Sequence, residues 1–120
     1  MVMNQLVLVG RLVRDPELKN AENGIKYSNI TLAVPRNFKN SEGVYETDFV
    51  DVKLWDSAAS NTAEYCKKGD IVGVRGRIQT NIVEKEDDKR EKFMDVIAER
   101  ITFLSSSRDK PSQELATERG

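Results

Sequence analysis

Five stretches of this chain alternate apolar and polar residues with a two-residue period, and one short stretch between the third and the fourth changes to a helical period. Met3 to Leu12 is the first, apolar on both faces through Leu6, Val7, Leu8 and Val9, as expected of a strand covered from two sides. RDPELKNAENG then combines a proline with an Asn-Gly turn signal. Tyr27 to Val34 sets Ser28, Ile30, Leu32 and Val34 against Tyr27, Asn29, Thr31 and Ala33. Pro35 is expected to end this second strand, with RNFKNSEGVYE as a polar loop turning at Gly43. In the third stretch, YETDFVDVKLWDS, Val50, Val52 and Leu54 form an ordinary core side. Its other side holds Thr47, Phe49, Asp51, Lys53 and Trp55, so the only tryptophan stands on a charged face.

Asp56 or Ser57 is placed to cap a helix through SAASNTAEYCKK, with Ala59, Thr62, Ala63 and Cys66 on one face and Gly69 as its stop. Ile71 to Thr80 alternates again, with Val72, Val74, Gly76 and Ile78 opposed to Arg75, Arg77 and Gln79; Gly73 and Gly76 point to strong curvature or a bulge. EKEDDKREK reads as a charged hairpin tip, and Lys92 to Leu104 as a fifth strand. Strand, strand, strand, helix, strand, strand with curvature glycines matches an all-β OB-fold, a five-stranded Greek-key barrel with a short helix between strands 3 and 4. Residues 1–104 make one domain, and 105–120 read as a flexible tail.

Composition removes several function classes. With no histidine and one cysteine, Cys66, the chain has neither the commonest neutral-pH base nor the ligands for a zinc site, and no intrachain disulfide. No metal or other cofactor is expected. No apolar run approaches the roughly twenty residues that span a bilayer, and the N-terminus lacks a leader pattern, so a cytoplasmic protein with no membrane partner is expected. Formal net charge is −1, so any anion-binding surface must be local. Asp87 and Asp88 on a charged turn are solvated rather than tuned for acid-base work, and VGVRGR lacks phosphate-loop spacing. The chain is not expected to be an enzyme.

What remains is aromatic rings among cations. Phe49 and Trp55 flank Lys53, and the following strand is expected to present Arg75 and Arg77 beside them. Phe38 lies between Arg36 and Lys39 on an exposed loop. A flexible single strand offers a π-face on every base and a charge on every phosphate, which such a surface matches. The competing reading makes Phe49 and Trp55 interface residues of an oligomerisation domain. Tyr27, Tyr45 and Phe93 are assigned to packing, and Tyr65 to the helix against the barrel.

NQLVLVGRLVRDPEL, NITLAVPRNF, DFVDVKLW and AEYCKKGDIVGVRGRIQT, in that order, resemble the bacterial single-stranded DNA-binding protein family over about residues 3–104. The resemblance implies an OB-fold homotetramer that binds single-stranded DNA without sequence preference and protects it during replication, recombination and repair. An OB module for RNA or primosome assembly is the alternative. By position it assigns base stacking to Phe38, Phe49 and Trp55, and groove cations to Arg11, Lys19, Lys67 or Lys68, and Arg77. It implies subunit contacts along the N-terminal strand and near Val50.

Three departures stand out. Val83 occupies a position where the family usually carries another aromatic, and Asp51 one that is often basic, in a chain whose EKEDDKREK hairpin is acidic. Asp51 is therefore expected to pair with a neighbouring arginine or lysine. The chain closes on Glu118, Arg119 and Gly120 rather than on the acidic tip through which full-length members recruit replication and repair proteins, so the tail reads as truncated or as a short form.

Overall fold

A computed structural model describes residues 3–105. Its elements are β1 (Leu6–Leu12), β2 (Lys19–Asn20), β3 (Lys26–Lys39), β4 (Tyr45–Trp55), α1 (Asp56–Tyr65), β5 (Ile71–Glu84) and β6 (Arg90–Ser105), with a single 3-10 turn at Glu86–Asp88. The five long strands close in the order β1-β5-β6-β4-β3 and back to β1. Two pairs make the last seam, Arg11 opposite Ala33 and Leu12 opposite Leu32. All contacts are antiparallel except β4 with β6, where Val52 faces Val96 and Lys53 faces Ile97. This is the barrel the alternation predicts. Counted over the long strands the helix lies where it is expected; the two-residue β2, which the sequence does not show, moves it to between β4 and β5.

Closure pairs each long strand with two neighbours within the barrel and turns one side of every strand inward. Leu12, Ile30, Leu32, Val52, Leu54, Val72 and Val74 are almost free of solvent, and α1 packs on β3, β4 and β6 and adds Ala59 and Cys66 to the same core. Burying such a side chain stabilises by about 1.5 to 3 kcal/mol, so the inward face carries most of the stability. The residues expected on the inner face of β4 are there; those on its outer face are not in the core.

Element ends differ from the sequence reading for local reasons. β3 does not stop at Pro35 but continues to Lys39, with Pro35 opposite Thr47 and a register shift beyond it. Its ladder with β1 has ended two residues earlier, so the missing N–H faces no strand on that side. Neither Asp56 nor Ser57 caps α1: Trp55 is the N-cap residue, with extended backbone and no side-chain cap bond. Asp56 turns the chain out of the strand at φ +53°, a region Asp tolerates better than most residues. The helix ends at Tyr65, where the Cys66 N–H donates to the Thr62 carbonyl. β5 and β6 run well past the predicted ends, and every residue from Thr80 to Met94 is exposed, so their hairpin projects from the barrel.

The β3–β4 hairpin is held by charge. Arg36 donates through Nε and Nη2 to the Asp48 carboxylate, with the Nη2 bond at 2.8 Å, and through Nη1 to Glu46 Oε1 at 2.9 Å. Asn40 Nδ2 donates to the other Glu46 oxygen at 2.9 Å. The hydrogen bond from Arg36, helped by its charge, holds the Asp48 carboxyl below its ordinary value. Because Asp48 is lowered in the folded state, the clamp is complete above the ordinary carboxylate range and is lost only as pH falls through the lowered value.

Two expectations follow from this architecture. A Cβ on Gly76 would overlap the Ile97 carbonyl oxygen, at the place where β6 carries an extra residue, whereas one on Gly73 meets nothing closer than 3.5 Å. In urea unfolding Gly76→Ala is expected to lower stability by about 2 kcal/mol or more, and Gly73→Ala by much less. Amide exchange at Asn40 and Gly43, which bond across the hairpin turn, is expected to be unaffected by the clamp's titration between about pH 5 and 8 and to speed up in Asp48→Asn at neutral pH. Equal protection in the variant would mean that the clamp does not hold the hairpin.

Candidate nucleic-acid interface

The outer faces of β3 and β4 meet in a fixed register. Tyr27 lies opposite Trp55, Asn29 opposite Lys53, Thr31 opposite Asp51 and Ala33 opposite Phe49. Cross-strand partners share a face, so these eight residues form one surface. Phe49 is 67% exposed and Trp55 38%. Phe38 is 61% exposed farther along the hairpin. None of the three belongs to the core.

Trp55 does not stand alone. The Tyr27 ring lies 5.6 Å from it at 40°, and the Lys53 ammonium 5.7 Å from its centroid. Lys19 of β2 is opposite Tyr27, so the row Lys19, Tyr27, Trp55 crosses three strands. Tyr27, expected in packing, is half-buried and belongs to the aromatic surface. Alternation puts it on the correct face, and only the register is missing from the sequence. Tyr45 and Phe93 are not core residues either. Tyr45 is exposed with the Lys39 ammonium 5.6 Å from its ring, and Phe93 stands exposed on the projecting hairpin opposite Asn81. Tyr65 touches Phe103 of β6, with centroids 6.2 Å apart, and remains exposed.

Arg75 and Arg77 are not beside β4, because β6 lies between β5 and β4. Linear order makes them neighbours; the Greek-key connection separates them. Arg77 still falls in the row Asn29, Lys53, Ile97, Arg77, two strand spacings or about 10 Å from Lys53. Its Nη1 donates to Gln79 Oε1 at 2.9 Å, and its Nε lies 3.6 Å from Glu99. Arg75 is opposite Val7 and Arg100, outside the row that holds the rings. Arg11 donates to the Gly69 carbonyl at 2.8 Å, beside the turn that carries Lys67 and Lys68, both exposed. Arg36 is occupied by the hairpin clamp.

Asp51 has a different partner from the expected cation. Thr31 Oγ1 donates to its Oδ1 at 2.7 Å. A hollow of about 330 Å³ opens here, lined by Arg14, Asn29, Asp51, Lys53 and Asp95 along the seam of β4 and β6. Asp95 in turn accepts from Asn81 Nδ2 at 3.1 Å. Val83 lies exposed on the projecting hairpin, opposite Glu91. The described residues contain no cluster of His, Cys, Asp and Glu that could hold a metal and no helix long and apolar enough to cross a membrane. The surface offers ring faces, separate cations and a hollow with mixed donors and acceptors.

Residues 3–104 match the model of the single-strand binding protein family. The chain is 43% identical over 115 residues to single-stranded DNA-binding protein B of Bacillus subtilis, covering 96% of this chain and 99% of that one. It is 44% identical over 108 residues to single-stranded DNA-binding protein 3 of Listeria innocua, with 90% and 68% covered. Against the single-stranded DNA-binding protein of Halalkalibacterium halodurans it is 46% identical over 103 residues, and spans 61% of that protein's length. A barrel with this strand order, a family match across almost all of the described residues and relatives at this identity lead to one statement: the chain belongs to the single-strand binding protein family.

Proposed function

We propose that this chain binds single-stranded DNA without a sequence requirement, stacking bases on Trp55, Phe49 and Phe38 and setting phosphates against Lys53, Lys19, Lys67, Lys68, Lys39, Arg11 and Arg77. The observation that carries the reading is the outer face of β3 and β4, where the exposed rings of Phe49 and Trp55 share one register-fixed surface with Lys53. Rings on a wet face cost hydration unless something covers them, and a base covers a ring while its phosphate stays near the cations. The names of the relatives agree with this chemistry. Arg36 and Arg75 contribute less, the first because two carboxylates already neutralise it and the second because of its distance from the rings. Binding of this kind would protect DNA opened during replication, recombination and repair, in the cytoplasm.

The functional unit in this reading is a homotetramer. Val7 and Val9 leave 71% and 50% of their surface exposed on the outer side of β1, and apolar side chains side by side on a strand are a natural contact for another copy.

Trp55 is the only tryptophan and reports binding directly. Oligo(dT) is expected to quench its emission, and salt to reverse the quench with a slope of about −0.7 per phosphate contact. Trp55→Ala, followed by anisotropy of labelled DNA, and Phe49→Ala are each expected to weaken binding by about 1 to 3 kcal/mol. Unchanged emission at saturating oligo(dT) would remove Trp55 from the interface. Sedimentation at micromolar concentration is expected to show an assembly larger than the 13.6 kDa chain; a monomer alone would overturn the tetramer.

A further inference from the structure

The same face carries a group that pure backbone binding does not need. Asp51 shares the outer side of β4 with Phe49 two residues before it and Lys53 two residues after it, each about 7 Å away along the strand. Its Oδ1 is held by the hydroxyl of Thr31, itself only 8% exposed, and among the described residues Oδ2 accepts no hydrogen bond. The carboxylate thus has one fixed oxygen and one open oxygen, and it lines a hollow of about 330 Å³. Arg14 and Lys53 line the same hollow, and among the described residues neither forms an ion pair with it.

We propose that Asp51 makes this face prefer bases that carry an exocyclic amino group, so that it accepts cytosine strands more readily, relative to thymine strands, than the same barrel would without the carboxylate. This rests on the single-strand reading above. A base stacked on Phe49 brings its hydrogen-bonding edge to the neighbouring residue on the strand. Cytosine carries its donor at the end of that edge, an N4 amino group that a carboxylate reaches from the side away from the N3 and O2 lone pairs and takes in direct readout. Thymine presents a single N3–H flanked by two carbonyl oxygens, which face the carboxylate unfavourably. The two bases are pyrimidines of the same size, so stacking and phosphate contributions largely cancel between them. A phosphate, by contrast, is repelled equally whichever base it carries. The acceptor therefore acts on the ratio of affinities, and its charge acts on both affinities together.

The test is anisotropy of 5′-labelled oligo(dC) and oligo(dT) of equal length, at one salt concentration and neutral pH, with the full chain and with Asp51→Asn and Thr31→Val. The side-chain amide introduced by Asp51→Asn would still accept from Thr31 through its oxygen, but it also offers donors that thymine O2 and O4 take up. The expected result is that Asp51→Asn lowers the dC-to-dT affinity ratio by about three- to tenfold, the net size of one hydrogen bond made in competition with water. Thr31→Val, which keeps the charge and releases the anchor, is expected to move the ratio in the same direction by less. If Asp51→Asn strengthens both oligonucleotides and leaves their ratio unchanged, Asp51 acts through charge alone and the inference falls while the single-strand reading stands. If neither oligonucleotide binds any of the three proteins, that reading falls and this one with it.

Discussion

The seam between β1 and β3 decides what the other strands can do. It consists of two residue pairs, Arg11 with Ala33 and Leu12 with Leu32, and it depends on backbones coming close: a Cβ on Gly10 would lie 2.9 Å from the Ala33 carbonyl oxygen. With so few pairs the seam is weak by itself, since a hydrogen bond contributes only about 1 kcal/mol net. It holds because Leu12 and Leu32 sit beneath it in the core and because the turn before β5 is tied to β1, the Leu12 N–H donating to the Asp70 carbonyl and the Gly69 N–H to the Leu12 carbonyl. Once closed, the barrel has a single inside. Most outer residues are then free of packing duty, and a row such as Tyr27 and Trp55 stands on the surface without cost to the core.

Four cations of the described residues are answered by carboxylates within the molecule. Arg36 is clamped by Asp48 and Glu46, Arg77 is near Glu99, and on the projecting hairpin Lys85 pairs with Glu91 and Arg90 lies near Glu84. These are exposed pairs whose value to stability is small, but they decide which cations remain for a ligand. Lys53 and Lys19 beside the rings form no ion pair among the described residues, nor do Lys67 and Lys68 at the turn. A chain of formal charge −1 can present a local cationic surface in this way, by neutralising some basic groups and leaving others beside the aromatic row.

Sequence is informative where one residue's fate depends on its strand alone. Alternation locates the core residues of β3, β4 and β5 and the wet face of β4, because burial there follows a period of two; β1 is apolar on both faces, and the extra residue of β6 near Glu99 breaks its period. It fails where the answer lies on another strand. Proximity along the chain assigns Asp51 a cation, yet its partner Thr31 is twenty residues away across the β3–β4 ladder. Chain order sets Arg75 and Arg77 beside Lys53, and a parallel β4–β6 contact intervenes. Pro35 reads as a stop in any strand paired on both sides; it is tolerated here because β1 has already turned away. The family resemblance fills part of this gap, assigning Trp55 and Phe49 their roles, but it does not reveal Tyr27, whose only distinguishing feature is its register. Residues 106–120, including most of the expected tail, lie outside the described part of the chain.

Tolerance of sequence and a preference for one base edge are compatible on one surface because they draw on contributions of different size. Stacking on a ring is worth about 1 to 3 kcal/mol for any base, and each phosphate contact is indifferent to the base it carries. A single hydrogen bond to a base edge, made where water competes, is worth about 1 kcal/mol. In the proposed stacking of bases on Trp55, Phe49 and Phe38, the indifferent contributions outweigh the edge, so no sequence is excluded. The edge contribution then acts only as a bias on which bases settle beside Asp51. Anchoring by Thr31 sharpens this bias, since a carboxylate free to rotate presents its open oxygen to a base edge only part of the time.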